Sequence, residues 1–200
     1  MQHLLRRMAG VVLGAVVLVQ GGAGMRTAAV MAQGAEHAQH ETGVQRGKAG
    51  ALLKAVRQST ERFKDVAAAE AEGYGLMFGC VSGPDYGAMG LHYVNFPLVK
   101  DIALDPAKPE IVIYEPLPNG GKRLVGADFL VFAADWHAKH AETPQIMGQL
   151  MHLIESPNRY GLPAFYTLHV WAWKDSASGP FVNWHPTVSC ASFDDDDEKD

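Results

Sequence analysis

Between residues 48 and 72 the apolar positions Leu52, Val56, Phe63 and Val66 follow helical steps through an Ala-, Lys- and Glu-rich segment, which predicts an amphipathic helix. Gly73 supplies the residue expected just past its end. Beyond it the period changes. Short apolar runs at 76–81 and 89–95, parted by the turn-forming Ser82-Gly83-Pro84-Asp85, read as strands. So do 110–116 and 122–133, which flank the hairpin signal Asn119-Gly120. Residues 146–154 suit helix or strand equally. Residues 164–174 read as a central strand bulky on both sides, with Phe165, His169, Trp171 and Trp173 facing one way and Tyr166, Leu168 and Val170 the other. The expected fold class is α+β: a long N-terminal amphipathic helix packed on a curved, mainly antiparallel sheet of about five or six strands.

The hairpin register can be counted. A two-residue turn at Asn119-Gly120 pairs Pro118 with Gly121, hence Glu115 with Leu124 and Ile111 with Asp128. Glu115, Leu124 and Asp128 then share a face, the two acids four residues apart along the strand, or about 13 Å. Even an inverting glycosidase holds its carboxyl groups only about 6.5 to 9.5 Å apart. A two-carboxylate hydrolase is disfavoured, and either acid is left as a single ligand, a partner for a base, or a residue at a solvated strand end.

The ends of the chain change the picture. Arg6 and Arg7 precede an apolar stretch at 9–19 and small residues up to Ala32, the plan of a secretory signal peptide over 1–32. An uncleaved anchor is the competing reading, although the apolar core falls short of the about 20 residues a spanning helix needs. Residues 33–47 read as a flexible leader, 48–191 as a single α+β domain, and 192–200 as a disordered acidic tail. From residue 33 onward 14 Lys and Arg face 22 Asp and Glu, and six of those acids lie in 194–200. The body is nearly neutral and offers no basic surface for nucleic acid. No membrane partner is expected after cleavage, and no oligomeric state is implied.

Cys80 and Cys190 are the two cysteines. In an exported chain, periplasmic or secreted, they read as one disulfide closing a loop of about 110 residues. The rival reading makes Cys80 a nucleophile beside a histidine base.

Candidate chemistry centres on histidine and tryptophan. His92 and His169 are each a single polar residue in an apolar strand, where a buried imidazole needs a partner. If their strands are neighbours the rings can meet, with His185 or Glu115 as a third ligand for Zn or Cu. Core histidines bonded to backbone or carboxylate are the plainer alternative. His137 and His140, three apart, form a weaker metal signal beside Trp136. Trp171, Trp173 and Trp184 would wall a ligand pocket or simply fill a core. No nucleophile elbow, phosphate-binding glycine loop or dinucleotide fingerprint occurs. The leading functional expectation is binding of a small ligand or metal in a pocket formed by His92, His169, Trp171 and Trp173. The alternatives are a metal-dependent enzyme using both histidines with Glu115 or Asp128, and a structural or interaction module of the cell envelope.

The blocks Ala71-Glu72-Gly73-Tyr74, Met89-Gly90-Leu91-His92-Tyr93-Val94-Asn95, Tyr114-Glu115-Pro116, Leu168-His169-Val170-Trp171-Ala172-Trp173 and Trp184-His185-Pro186 up to Val188-Ser189-Cys190 together resemble a family of small exported bacterial proteins with no assigned activity. The family places Asn-Pro where this chain has Ser176-Ala177. The resemblance implies export and one compact domain with Cys80 and Cys190 at its two ends. It transfers no catalytic residue.

Overall fold

The computed structural model describes residues 23–193, with side chains from residue 42. The signal core at 9–19 and the acidic run 194–200 lie outside the described residues. Contacts divide the chain into two units, Met1–Thr42 and Gly43–Asp200, and the sheet belongs to the second. Among the described residues no helix is long and apolar enough to cross a membrane.

The first helix, α1 (Ala23–Thr60), takes in the stretch 33–47 expected as a flexible leader. No proline precedes Pro84, and Gly43, Gly47 and Gly50 face open space, so nothing there forces a break. The break comes later, inside the helix expected to run unbroken to residue 72. Thr60 turns its hydroxyl back to the Val56 carbonyl at 2.6 Å, a 3-10 turn follows over Glu61–Lys64, and Asp65 caps α2 (Val66–Ala71) by accepting from the Ala67 N–H. The bend sinks Phe63 into the core, where its carbonyl accepts from the Tyr114 hydroxyl at 2.7 Å.

The strands are β1 (Gly75–Ser82), β2 (Ala88–Val94), β3 (Ile111–Pro116), β4 (Lys122–Phe132), the short β5 (Gln145–Ile146), β6 (Gln149–Leu150) and β7 (His152–Ile154), and β8 (Phe165–Val170). Six of them form a curled antiparallel sheet in the order β1-β2-β3-β4-β8-β7. The α+β class and curved sheet are as expected. The ambiguous run 146–154 is β-structure: Met147 and Gly148, both at positive φ, turn β5 into β6, and β7 borders β8. One face of the sheet, with Phe129, Leu168, Leu91 and Tyr114, packs on Leu52, Val56, Phe63 and Ala69 of the helical segment. The concave face carries Ile111, Ile113, Leu130 and Phe165, covered by Trp171, Val188 and a short helix α3 (Phe96–Asp101) through Val99.

The hairpin register holds at its far end and slips near its turn. Ile111 faces Asp128 as counted, but Tyr114 faces Leu124 and Glu115 faces Arg123, because a bulge interrupts the ladder after Ile113. The turn is the cause: Leu117 and Gly121 close a three-residue loop in which Gly120 adopts positive φ. The bulge moves Leu124 to the helix face and leaves Asp128 on the concave one.

Glu110, just before β3, is buried and accepts from the Leu130 N–H at 3.1 Å. Burial pushes its carboxyl up to about 8, and the charges of Asp128 and Asp101 add to the rise. An unfolded Glu titrates near about 4.3, so between those values the folded chain holds a proton the unfolded chain has released. This group's contribution to stability is therefore full below about pH 4 and is lost as pH rises to about 8. Glu110→Gln is expected to flatten that decline. Urea midpoints measured from pH 5 to 8 check it, and equal slopes for the two proteins would contradict the reading.

Candidate metal centre

Three strands of the concave face supply the cluster. His92 lies in β2, Asp128 in β4 and His169 in β8, with Asp128 and His169 directly opposed across the β4–β8 ladder. Between β2 and β8 lie β3 and β4, three inter-strand steps. On a flat sheet at about 4.8 Å per step, those residues would stand about 14 Å apart. The curl brings the imidazoles together: Nε2 of His92 lies 3.5 Å from Nε2 of His169. Two glycines permit the backbone approach that goes with this curl. A Cβ at Gly90, itself at positive φ, would meet the Tyr114 carbonyl oxygen at 2.5 Å, and one at Gly126 would meet that of Val170 at 2.6 Å.

Hydrogen bonding fixes where the lone pair of His92 points. Nδ1 of His92 lies 3.2 Å from the Gly90 carbonyl, a contact that requires the proton on Nδ1 and leaves Nε2 bare in the neutral ring. Nδ1 of His169 is buried without a hydrogen-bond partner, and its nearest carboxylate oxygen is Asp128 Oδ1 at 3.6 Å. That oxygen is held by the Thr167 hydroxyl at 2.6 Å and the Leu168 N–H at 3.1 Å. All three residues are buried, and one ligating atom from each lies within 4.8 Å of the others.

Burial dominates the electrostatics. It pushes His92 down to about 4, with the neighbouring His169 adding to the fall, and His169 down to about 3. It pushes Asp128 up to about 6 against the pull of His92 and the bond from Thr167. At neutral pH the cluster is two neutral imidazoles and one carboxylate, the protonation state in which these side chains ligate metals.

The cluster forms the polar end of a cavity of about 200 Å³. Its remaining walls are mainly apolar, among them Met77, Val81, Leu130, Phe132, Phe165 and Phe78. Phe78 belongs to a bulge in β1, between Met77 paired with His92 and Cys80 paired with Leu91. Its φ of 63° is unusual for a bulky side chain, and it places a half-exposed ring 5.8 Å from that of Tyr160.

The other expected site residues lie elsewhere. Glu115 is ion-paired with Arg123 and with Lys174 at 2.9 Å, and accepts from the Ser189 N–H at 3.1 Å. Burial raises its pKa, but the bonds from Arg123 and Lys174 outweigh that and hold it below the usual carboxylate range. His185 packs edge-on against Trp171 at 4.9 Å, and its Nδ1 accepts from the Thr187 N–H at 3.2 Å. Neither joins His92 and His169. Trp171 backs His169 at 5.8 Å and donates to the Val182 carbonyl, outside the cavity lining. Trp173, expected on the same face, is on the helix side: β8 ends at Val170, a tight turn from Ala172 N–H to the Val170 carbonyl breaks the alternation, and the Trp173 indole donates to Thr60 at 2.9 Å. His137 donates to or accepts from the Tyr166 hydroxyl at 2.9 Å while His140 stacks on Trp136, so that pair does not converge. Asp128 is the third member of the cluster, legible only through the Ile111 to Asp128 register.

Cys80 and Cys190 are joined in a disulfide. The Ser189 bond to Glu115 lies beside it, so Glu115 fastens the C-terminal segment to β3. Glu115→Ala strips the partner from the largely buried Lys174 and is expected to cost about 2 kcal/mol or more, with metal affinity unchanged. Urea denaturation and a Zn²⁺ titration check the two halves, and a large affinity loss would contradict the placement.

Fold and cluster together define an α+β protein whose curled antiparallel sheet encloses a buried pair of histidines and an aspartate at the end of an apolar cavity. No family model, curated protein or solved structure matches the chain.

Proposed function

We propose that this protein binds one divalent transition-metal ion through His92, His169 and Asp128, at the base of a cavity that admits a small ligand. The observation that carries the reading is the approach of the two imidazole Nε2 atoms to 3.5 Å, that of His92 without a proton. With metal-to-nitrogen bonds of about 2.0 to 2.1 Å, two ligands of a tetrahedral ion stand about 3.3 to 3.4 Å apart. Without a cation, the contact requires the Nε2–H tautomer of His169, donating to His92; the nearness of Asp128 to Nδ1 of His169 favours the proton there instead, as in carboxylate–histidine–metal arrangements. Two nitrogens and a carboxylate suit Zn²⁺, Co²⁺ or Fe²⁺.

The disulfide fits an oxidising compartment, and together with the N-terminal pattern it supports export to the periplasm or beyond. A metal-free pocket for an apolar ligand is the second reading, favoured by the apolar walls. Titration of tag-free, chelator-treated protein with Co²⁺ separates the two. One equivalent should develop the intense visible bands of a low-coordinate ion, lost in His92→Ala. A titration that develops no such bands overturns the metal reading.

A further inference from the structure

We infer that the metal's open position takes the anionic oxygen of a small, largely apolar molecule: a carboxylate or phenolate on a single ring or on a chain of comparable size. The inference rests on the metal reading and deepens it. Two neutral imidazoles and one carboxylate leave a divalent ion with a net charge of +1, buried at the end of a cavity whose other walls are mainly Met, Val, Leu, Ile and Phe. A charge held out of water requires a counter-charge and full coordination. Three protein ligands leave at least one position open, and a monoanionic donor there brings the charge to zero.

The body of the ligand follows from size and wall chemistry. Ordered water needs about two to four polar partners. The polar side chains here, His92, Asp128, Thr167, His169 and Asn183, are gathered at one end. Thr167 is already spent on Asp128. The rest of the cavity therefore favours carbon over water. A dry cavity of about 150 Å³ accommodates benzene, and this one measures about 200 Å³, room for a ring plus a small head group. Asn183 sets an amide beside His169 at this end, suited to hydrogen-bond a second polar atom of the head. Phe78, bulged out of β1 at positive φ, and Tyr160, whose rings meet edge-on, line the same cavity. A phenyl ring lying against this pair gains an edge-to-face contact on entry.

The test uses the Co²⁺-loaded full chain and three probes: benzoate, its neutral isostere benzamide, and acetate, which carries the charge without the ring. Benzoate is expected to shift the visible Co²⁺ bands and to bind at least tenfold more tightly than either comparator. Leu130→Trp, which fills the cavity beyond the metal, is expected to weaken benzoate at least tenfold while the Co²⁺ bands persist. If that variant does not fold, the three probes on the wild type decide alone. Co²⁺ bands that ignore benzoate, or acetate binding as tightly as benzoate, overturn the inference and leave the metal site standing. Failure to develop Co²⁺ bands at all removes the metal reading first, a distinct result.

Discussion

Replacing His92 and His169 together with alanine is expected to lower Zn²⁺ affinity by more than a hundredfold. Loss of an outer partner alone costs about 10- to 100-fold at metal sites, and here two of three direct ligands disappear. Asp128→Asn, which keeps the bond from Thr167 but removes the charge, is expected to fall within that 10- to 100-fold range. Both changes leave the disulfide and the apolar clusters on the two faces of the sheet in place, so the fold persists and its circular dichroism is unchanged. Calorimetric titration of chelator-treated protein reads the affinities, and a double variant within tenfold of the wild type would sink the site. Glu115→Ala and His185→Ala serve as controls, since neither residue joins the cluster.

The second large effect belongs to the disulfide. Cys80 and Cys190 are 110 residues apart, and closing a loop of that length restrains the unfolded chain by about 4 to 5 kcal/mol in the entropy model, with native proteins losing about 2 to 5 kcal/mol on removal. The bond also fastens the segment that carries Trp171, His185 and Val188 across the concave face, over β1 and β2. Cys80→Ser combined with Cys190→Ser is expected to destabilise by about 2 to 5 kcal/mol, read as a lower urea midpoint. The cavity should suffer before the rest, so Co²⁺ affinity falls at denaturant concentrations where the sheet is still folded. Equal midpoints for the two proteins would contradict this account.

Much of this arrangement was legible along the chain because strands announce their faces. His92 and His169 stand out as lone polar residues in apolar runs, and both are on the concave side of a curled sheet as a central strand with two covered faces requires. The Ile111 to Asp128 pairing could be counted from Asn119-Gly120 because two errors cancel. The loop is one residue longer than the simplest turn, and the bulge after Ile113 restores the register before Asp128 is reached. Glu115 lies on the wrong side of that bulge, and Lys174, the base that claims it, arrives from a loop whose course no periodicity encodes. Trp173 departs from its expected face for a related reason: alternation predicts faces only while a strand lasts, and β8 stops at Val170. The helix from 48 to 72 was read from its apolar stripe, yet its break at Thr60 depends on a hydroxyl bonding back and on Asp65 serving as a cap, signals that compete with an otherwise good helical pattern. The cavity walls were least visible. Phe96, Phe78 and Tyr160 come from a short helix, a bulge and a loop, and their meeting is a property of tertiary packing alone.

The central claim is a single metal ion held by His92, His169 and Asp128. Native mass spectrometry of tag-free protein, purified from the periplasm of an expression host and measured with and without one equivalent of Zn²⁺, tests it most directly. The account predicts one ion per chain for the wild type and none for the His92→Ala, His169→Ala double variant. A wild-type chain that takes up no ion, or a double variant that takes up one as readily, would contradict it.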